Sequence, residues 1–472
     1  MYDVIIIGGG PGGYLAAERL GQGKKKTLLI EEKYLGGTCL NVGCIPTKTL
    51  LNSAKHYVHA KEGEKFGVLA PGVSFDWNKM RSWKNEVTGK LREGIAGQMK
   101  RFAVEVVSGR GEILAAPSGT RPGRIKVSGG TTAEYGAQAI LAAPGSSPAF
   151  PPIPGSRDNS KVVDSTGLLS VEAAPKKLAV IGGGVIGVEF AGLFSSLGSE
   201  VTVIEMMDEI VPFMDRDQAP LLRRGMKNSA GGGSVDFKLG CKVESIDGAV
   251  VRYSTKDGAK AEAAADLVLM AAGRRPVLDT WGAAAAGLDM TGKGVAVNER
   301  MRTNIPGIWA AGDVTGKSLL AHSAYRMAEV AVADITAYLE GTPADGNGGN
   351  LWRDSAVPWA VYGIPEAAGV GLTEQEAEAR GIPVLKATLP MRVSGRFAAE
   401  NTFAGQGAVK VIASAGDRRI LGIHAVGSYA SEFIWGGAAL IEQELRIEDV
   451  RELIFPHPTV CELIRDAVWE IA

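Results

Sequence analysis

Asp3-Val4-Ile5-Ile6-Ile7-Gly8-Gly9-Gly10-Pro11-Gly12-Gly13-Tyr14 runs from an apolar, β-branched stretch through a glycine-rich turn into an alanine-rich segment. A continuous apolar run without alternation reads as a strand buried on both faces, as in a parallel sheet. Strand, G-x-G-x-x-G and helix in that order form a dinucleotide fingerprint. Its glycines let the backbone approach a pyrophosphate, and the helix N-terminus faces that charge. The glycines alone would say little. Here a second strand, Thr27-Leu28-Leu29-Ile30, ends in Glu31, about twenty residues on, where a carboxylate accepts from a ribose 2′-hydroxyl.

The pattern recurs. Lys177-Leu178-Ala179-Val180-Ile181 leads into Gly182-Gly183-Gly184-Val185-Ile186-Gly187, then a helix over 188–197, then Glu200-Val201-Thr202-Val203-Ile204-Glu205. Two fingerprints imply two dinucleotides, most simply FAD and a nicotinamide. The residues after Glu205, Met206-Met207-Asp208-Glu209, are not basic and would repel a 2′-phosphate, which favours NAD(H) over NADP(H). The exits of the two units also resemble one another: Ala139-Ile140-Leu141-Ala142-Ala143-Pro144-Gly145 and Leu267-Val268-Leu269-Met270-Ala271-Ala272-Gly273-Arg274-Arg275-Pro276. Pro148, Pro151, Pro152 and Pro154 favour an extended crossing between the units.

Between the first strands and the first exit lies Gly36-Gly37-Thr38-Cys39-Leu40-Asn41-Val42-Gly43-Cys44-Ile45-Pro46-Thr47-Lys48, with two of the chain's four cysteines five residues apart. In a regular helix that step rises about 7.5 Å, beyond the roughly 4.4–6.8 Å between the Cα atoms of a disulfide. Cys39 is therefore expected on a bent segment entering a helix, with Gly43 permitting the bend. Pro46 suits a first helical turn, so Cys44 is expected near a helix N-terminus, where a thiolate is stabilised. Cys39 is then the thiol placed to meet a substrate. Two buried structural cysteines are the plainer alternative, but the flanking glycines, proline and lysine count against it.

Composition bounds the rest. At 472 residues the chain has room for three or four domains. A net charge of -1 with 22% charged residues gives no global attraction to nucleic acid or anionic membranes. Four cysteines are too few for a disulfide framework, so a reducing compartment and a catalytic disulfide are expected. With no basic leader before the first strand and no run of about 18 apolar residues, the expected location is cytoplasmic.

Further along, 55–135 mixes an amphipathic helix over 83–99 with short strands and a hairpin around 118–124. His56 and His59 fall on the helix after the cysteines and read as solvated side chains rather than proton relays. Gly307-Ile308-Trp309-Ala310-Ala311-Gly312-Asp313-Val314 is a strand running into Gly-Asp before a helix over 321–339, and a carboxylate there can take a hydroxyl from a ribityl chain. Polar, glycine-rich 342–350 marks a boundary. The last segment alternates strands (408–412, 420–426) with helices (431–444, 461–471). Within it, Phe455-Pro456-His457-Pro458-Thr459-Val460-Cys461-Glu462 holds a histidine rigidly between prolines. The glutamate five residues on can return from the next helix to orient the imidazole, although taken alone the stretch reads first as a plain loop histidine.

Taken together, these features resemble the flavin-dependent pyridine nucleotide-disulphide oxidoreductases over essentially the whole chain. The carrying motifs are 36–48, both fingerprints, Gly273-Arg274-Arg275-Pro276, Ala311-Gly312-Asp313 and His457-Pro458-Thr459 with Glu462. The resemblance is strongest to members that oxidise dihydrolipoyl groups with NAD+. It implies an α/β fold with two Rossmann-like dinucleotide-binding domains, for FAD (1–147) and NAD (148–275). A central domain (276–347) would complete the FAD site, and a C-terminal α+β domain (348–472) would form a homodimer. FAD would lie on Gly8, Gly10, Gly12 and Gly13, with Glu31 at its ribose, Gly37, Thr38 and Gly145 along it, Lys48 beside the isoalloxazine and Asp313 at the ribityl. NAD would lie on Gly182, Gly184, Val185 and Gly187, with Glu205 and Gly273. Lys48 would pair with Glu189 near the flavin N5. Cys39 would exchange with the dithiol, and Cys44 would form the charge-transfer contact with the flavin. His457, supported by Glu462 and contributed by the other subunit, would be the acid-base. No metal is implied. The implied partners are lipoyl domains of 2-oxoacid dehydrogenase complexes or a glycine-cleavage carrier protein.

Two positions depart from the pattern. Phe455 stands where another histidine is common, and Pro144 replaces the usual threonine of the first exit. Other enzymes of the family remain as alternatives. A mercuric reductase should end in a cysteine pair, which Trp469-Glu470-Ile471-Ala472 lacks; a glutathione-type reductase prefers basic residues near Glu205; a transhydrogenase would not need His457. A chain acting mainly as a docking subunit would not need Cys39, Cys44 and His457 together.

Overall fold

A computed structural model describes residues 1–129, 132–342 and 351–471. The boundary expected at 347/348 and the last residue, Ala472, lie outside them. The chain forms two compact units, each made of three separate stretches. The first comprises Met1–Pro46, Ser82–Ala149 and Arg274–Arg353; the second comprises Thr47–Arg81, Phe150–Gly273 and Asp354–Ala472. The expected FAD and central segments thus share one unit, while 47–81 joins the expected NAD and C-terminal segments.

The first unit is built on a seven-stranded sheet. Strand Tyr2–Ile7 lies between Thr27–Glu31 and Ala133–Ala142, parallel to both, and Glu105–Ser108 extends the sheet beyond Thr27–Glu31. The long strand Ala133–Ala142 divides its edge. Its first half pairs antiparallel with Gly123–Ser128, and its second half pairs parallel with Ile308–Ala310 from the central segment. That pairing is why the central segment belongs to this unit. Fully buried Ile5, Leu28, Ile125 and Ile140 pack with Trp281 and Ile308. Buried Asp334 joins the Arg302 guanidinium to the Trp309 indole, which donates at 2.8 Å. The two crossing segments, Ser146–Pro148 and Arg274–Pro276, pair as an antiparallel ribbon. Proline spacing shows an extended crossing but not its partner, which is distant in sequence.

The second unit holds a five-stranded parallel sheet in the order Ser234–Lys238, Glu200–Ile204, Lys177–Ile181, Leu267–Met270, Val162–Val163. A three-stranded antiparallel sheet over 242–264 accompanies it. Leu50, Leu51, Ala54, Trp77 and Met80 share a core with Phe190 and Phe194, which explains why 47–81 belongs here. Trp77 and Phe194 rings lie 5.8 Å apart. The helix expected over 83–99 runs Trp77–Arg101, because Asp76 Oδ1 accepts from the Asn78 and Lys79 N–H groups and starts it a turn and a half earlier. Strands Trp359–Val361, Ala367–Gly371, Ile420–Val426, Ala408–Ser414 and Val384–Pro390 form a second, antiparallel five-stranded sheet. Helices Ala430–Glu442 and Glu462–Glu470 pack against it. No helix among the described residues is long and apolar enough to cross a membrane.

A buried charge cluster ties distant stretches of this unit together. Lys410, with its side chain wholly buried, donates to Asp215 at 2.9 Å, Asp217 at 2.8 Å and Glu374 at 2.6 Å. Arg216 and Lys386 also pair with Glu374. Burial disfavours the Lys410 charge, yet the three carboxylates outweigh it and raise its pKa. Glu374 is held down to about 2 by its bonds from Lys386 and Lys410. Since the Glu374 pKa is lowered from its usual 4.5, its contribution to stability is full above that value and is lost as pH falls towards about 2. Lys410→Met leaves the fully buried Asp215 carboxylate without its counter-charge. Urea unfolding at pH 7 is expected to show a loss of about 3–5 kcal/mol, and the variant's stability should fall less steeply in acid than the parent's.

Candidate active site

The two fingerprints have the same local geometry. Gly8 and Gly182 turn with φ of +101° and +108°, and their N–H groups bond to Ile30 O at 2.8 Å and Ile204 O at 2.9 Å. A side chain at Gly13 would put Cβ 1.8 Å from Gly8 O, and one at Gly187 would put it 2.0 Å from Gly182 O. Only glycine lets helices Pro11–Gln22 and Val185–Ser196 approach their strands so closely. Glu31 Oε2 accepts from Gly9 N–H at 2.7 Å, and Glu205 Oε2 from Gly183 N–H at 2.5 Å, so each acid is fixed at its strand end.

Both turns fit a dinucleotide. Helix caps Gly10 and Gly184 carry no side-chain bond to the first-turn N–H groups, and neither first turn holds an acid. A Cβ on Gly184 would meet nothing within 4 Å, and on Gly10 nothing closer than 3.8 Å. Two helix N-termini therefore present backbone donors and positive dipole ends towards open space shaped for an anion. Glycines 145 and 273, at the two strand exits, likewise have positive φ and open space where a Cβ would stand. Val185 is the first residue of its helix, at the position Pro11 takes in the other.

The cysteine stretch rests on the first of these turns. Gly36 N–H donates to Gly9 O at 2.8 Å, and a Cβ on Gly37 would lie 2.5 Å from Gly10 Cα. Cys39 lies on the short helix Gly37–Val42 and Cys44 begins the helix Cys44–Glu62, with the break at Gly43. A Cβ on Gly43 would sit 2.9 Å from Thr38 O and 3.4 Å from Cys39 Cα, so this glycine brings the second helix start against the first cysteine. Both cysteines are partly exposed. His56 and His59 are exposed on the longer helix.

Asp313, after strand Ile308–Ala310, accepts from the Ser146 hydroxyl at 2.5 Å. Burial raises its pKa, against the opposing pull of Ser146 and Arg274. Arg274 donates to Ser146 Oγ at 2.8 Å, to Ser146 O at 2.7 Å and to Thr38 Oγ1 at 3.5 Å. Thr38, Gly145, Asp313 and the cysteine stretch are thus gathered in one unit around the first fingerprint. Ser146 and Arg274 were not legible as connectors, because the ribbon pairing that brings them together is non-local.

In the second unit, Lys48 Nζ bonds both Glu189 oxygens, at 2.8 and 2.7 Å. Tyr362 N–H donates to Glu189 Oε1 at 3.0 Å, and the Tyr362 ring lies 4.6 Å from Lys48 Nζ. Glu189 is buried on helix Val185–Ser196, which also starts the second fingerprint. Nothing in the pattern around Tyr362 signals that contact. The same unit carries the other pair. His457 Nδ1 meets Glu462 at 3.0 and 3.2 Å, and Glu462 Oε2 accepts from Thr459 N–H at 2.8 Å. Burial pushes the Glu462 pKa up, but Thr459, His457 and Arg465 outweigh it and hold it below the usual range. The His457 side chain is 80% exposed, so its Nε2 edge is accessible. Among the described residues no group of three His, Cys, Asp or Glu side chains could hold a metal.

The pyridine nucleotide-disulphide oxidoreductase pattern matches residues 2–328, and the dimerisation domain of the same group matches 357–468. The chain belongs to this family. It is 39% identical to a dihydrolipoyl dehydrogenase of Thermus scotoductus, over 99% of this chain and 96% of that one. The dihydrolipoyl dehydrogenase of Chlamydia muridarum is 36% identical, over 98% and 95%. Among solved structures, a Cu(II) complex of the HOCl-induced flavoprotein disulfide reductase RclA from Escherichia coli superposes with a TM-score of 0.84 at 28% identity, covering 100% of this chain and 99% of that one. The family's cofactors are FAD and NAD, and the chain supplies one fingerprint for each.

The open face of Gly184 separates folding from binding. Gly184→Ala is expected to keep its melting temperature and to bind NADH at least tenfold more weakly in a fluorescence titration, whereas Gly187→Ala should fold poorly because its Cβ meets a backbone oxygen.

Proposed function

We propose that the chain is a dihydrolipoyl dehydrogenase, oxidising dihydrolipoyl groups to lipoyl groups and reducing NAD+. The observation that carries this reading is the pairing of an accessible histidine with a fixed carboxylate, His457 and Glu462, in a chain whose cysteine stretch starts, at Gly36 and Gly37, against the first glycine-rich turn. Full-length likeness to relatives named dihydrolipoyl dehydrogenase supports it.

In this reading Glu462 holds the Nδ1 proton of His457, leaving Nε2 to take a proton from the first substrate thiol. The substrate thiolate attacks Cys39 Sγ in the oxidised enzyme; the Cys39–Cys44 bond breaks and Cys44 leaves as a thiolate, which the helix N-terminus at Cys44 stabilises. The second substrate sulfur then attacks the sulfur joined to Cys39, closing the substrate disulfide and releasing Cys39 as a thiolate. One substrate proton ends on Cys39 and the other leaves through His457 to solvent. FAD, when bound, would supply an acceptor for the electron pair of the two cysteines, which with the proton left on Cys39 amounts to the hydride that NAD+ gains. Lys48 is assigned to the isoalloxazine ring, with Glu189 fixing its ammonium. Gly8, Gly10, Gly12, Gly13, Glu31, Gly37, Thr38, Gly145 and Asp313 are assigned to FAD, and Gly182, Gly184, Val185, Gly187, Glu205 and Gly273 to NAD.

The functional unit in this reading is a homodimer, with His457 reaching the partner's cysteines. The matched dimerisation domain exposes Ile454 (98%) and Trp435 (70%), apolar side chains suited to cover by a second copy. The substrates are lipoyl groups carried by 2-oxoacid dehydrogenase complexes or a glycine-cleavage carrier, and the sparse cysteines suit a reducing cytoplasm.

Turnover of free dihydrolipoamide with NAD+, followed by NADH absorbance, tests the reading. Cys39→Ser and Cys44→Ser should abolish it, and His457→Gln should lower it by about 10²–10⁴-fold. Protein that reduces ferricyanide with NADH but makes no NADH from dihydrolipoamide would sink the lipoyl assignment while keeping the nicotinamide site. A second test concerns the shared site. Mixed dimers of Cys39→Ser and His457→Gln chains are expected to recover part of the parent activity, since one of their two sites would be intact; mixtures as inactive as either variant would place the base within its own subunit.

A further inference from the structure

The carbonyl of Gly183, which lies between Gly182 and Gly184 in the second fingerprint, accepts from Val211 N–H at 2.8 Å. The Gly183 N–H goes to Glu205 Oε2, and the other Glu205 oxygen takes Met207 N–H at 2.7 Å. Both sides of Gly183 are thus held by one stretch, 205–211. The first fingerprint repeats the arrangement: Gly9 N–H goes to Glu31, and Gly9 O accepts from Gly36 N–H at 2.8 Å. Gly36 makes its bond with a φ of +97°, which glycine adopts freely. Val211 makes the same bond with a φ of +45°. A β-branched residue ahead of Pro212 favours extended backbone on both counts, so this conformation is strained.

Strain of this kind persists only where the surroundings leave no alternative. Val211 is wholly buried, and Met214 N–H closes a turn onto its carbonyl at 2.8 Å. The next residues are anchored from elsewhere in the unit. Gln375 Nε2 donates to Met214 O at 2.7 Å, Glu374 N–H donates to Asp215 Oδ2 at 2.9 Å, and buried Lys410 donates to Asp215 Oδ1 at 2.9 Å. Phe213 meets Trp359 edge to face, with centroids 5.2 Å apart. The segment that carries Val211 is therefore pinned at Glu205 on one side and at Met214 and Asp215 on the other.

We propose that Val211 is a positioning residue for the nicotinamide-nucleotide turn: its strained backbone fixes the Gly183–Gly184 peptide for the ligand, and the anchor at Met214 and Asp215 holds the strain. The inference rests on the assignment of the second fingerprint to NAD. In a trans peptide the Gly183 carbonyl and the Gly184 N–H point in opposite directions. Drawing the oxygen onto Val211 therefore turns the Gly184 N–H the other way, at the start of helix Val185–Ser196. Were that plane to rotate, a carbonyl oxygen would stand among the backbone donors that a pyrophosphate needs. In the first turn a glycine makes the bond without strain. In the second, a valine makes it only while its flanks are held, so affinity for the nucleotide depends on residues outside the turn.

NADH binding to the full-length, FAD-loaded protein, followed by fluorescence titration, tests the proposal; flavin absorbance reports the first turn and melting temperature the fold. Val211→Ala and Val211→Gly both remove the two valine methyl groups, and only the second also removes the Cβ that opposes a positive φ. Val211→Gly is therefore expected to bind NADH about three- to tenfold more tightly than Val211→Ala, within the cost of a left-handed side chain. Gln375→Met keeps the length of its side chain and loses the bond to Met214 O. It is expected to weaken NADH binding about three- to tenfold in the parent chain, and by about twofold or less beside Val211→Gly, where no strain needs holding. In turnover Gln375→Met should raise KM for NAD+ and leave kcat and FAD content as they are. Equal affinities for the two Val211 variants, or an equal effect of Gln375→Met in both backgrounds, overturn the proposal. So does a lowered melting temperature with unchanged NADH affinity, which would make Val211 a packing residue only. A parent protein that holds FAD but binds no NADH would remove the nicotinamide assignment itself, and the proposal with it.

Discussion

The contact between Gly37 and Gly10 constrains the candidate chemistry more than any single charged group. A redox pair must stand beside its electron acceptor, and here the cysteine helix starts on the same turn that presents donors to a dinucleotide. Neither backbone could approach so closely with a side chain at Gly37, and the Gly36 N–H bond to Gly9 O fixes the register of the approach. The break at Gly43 then sets the second cysteine at a helix start while that glycine remains pressed on the first cysteine's backbone. Cofactor site and dithiol site are in this sense one piece of backbone geometry. The side chains that tune it, among them Asp313, Ser146 and Arg274, are arranged around it.

Duplication accounts for much of what was legible in advance. Two fingerprints built on the same spacing give the same turn, the same acid-to-glycine bond and the same close helix approach, because each requirement is local and met within about thirty residues. The break at Gly43 and the His457–Glu462 return were also readable, since both depend on residues no more than five apart. The pairings that assemble the units were not. Ser146–Pro148 finds Arg274–Pro276 across more than a hundred residues, and Lys410 finds Asp215 across nearly two hundred. No periodicity announces such partners. Residues 47–81 follow the cysteines in sequence, yet pack with Phe190 and Phe194 because their apolar face finds its core there.

Lys410 shows what such a distant partner does. Its three carboxylates come from the segment after the second fingerprint and from the start of helix Glu374–Ala379, while the lysine itself lies in the C-terminal sheet. Lys410 and Asp215 are fully buried and Glu374 nearly so, and desolvating such charges is costly unless all of them are paired. The arrangement is therefore specific: any slip of the sheet register would leave a buried charge alone. Its effect falls on the relation between the nicotinamide segment and the sheet that carries the histidine loop, a relation that hydrophobic contact alone would specify less sharply.

Phe455, which departs from the common histidine two residues before His457, is partly buried against the C-terminal core. Val460, five residues on, is buried in the same core. The loop between them is anchored at both ends while Pro456, His457 and Pro458 stay exposed. An apolar anchor at 455 exchanges a second titratable ring near the base for a firmer hold on the loop. Among the described residues the His457 ring is held by Glu462, whose ionised form is favoured by Thr459 N–H and Arg465. In the proposed reading His457 is a base, strongly hydrated when so exposed, and general base catalysis gains when water is excluded around the proton in flight. The chain itself leaves His457 open, and the same domain offers bare apolar side chains next to it in sequence, Leu453 and Ile454. The cover that would dry the base and the surface that would bind a second copy are thus a single requirement.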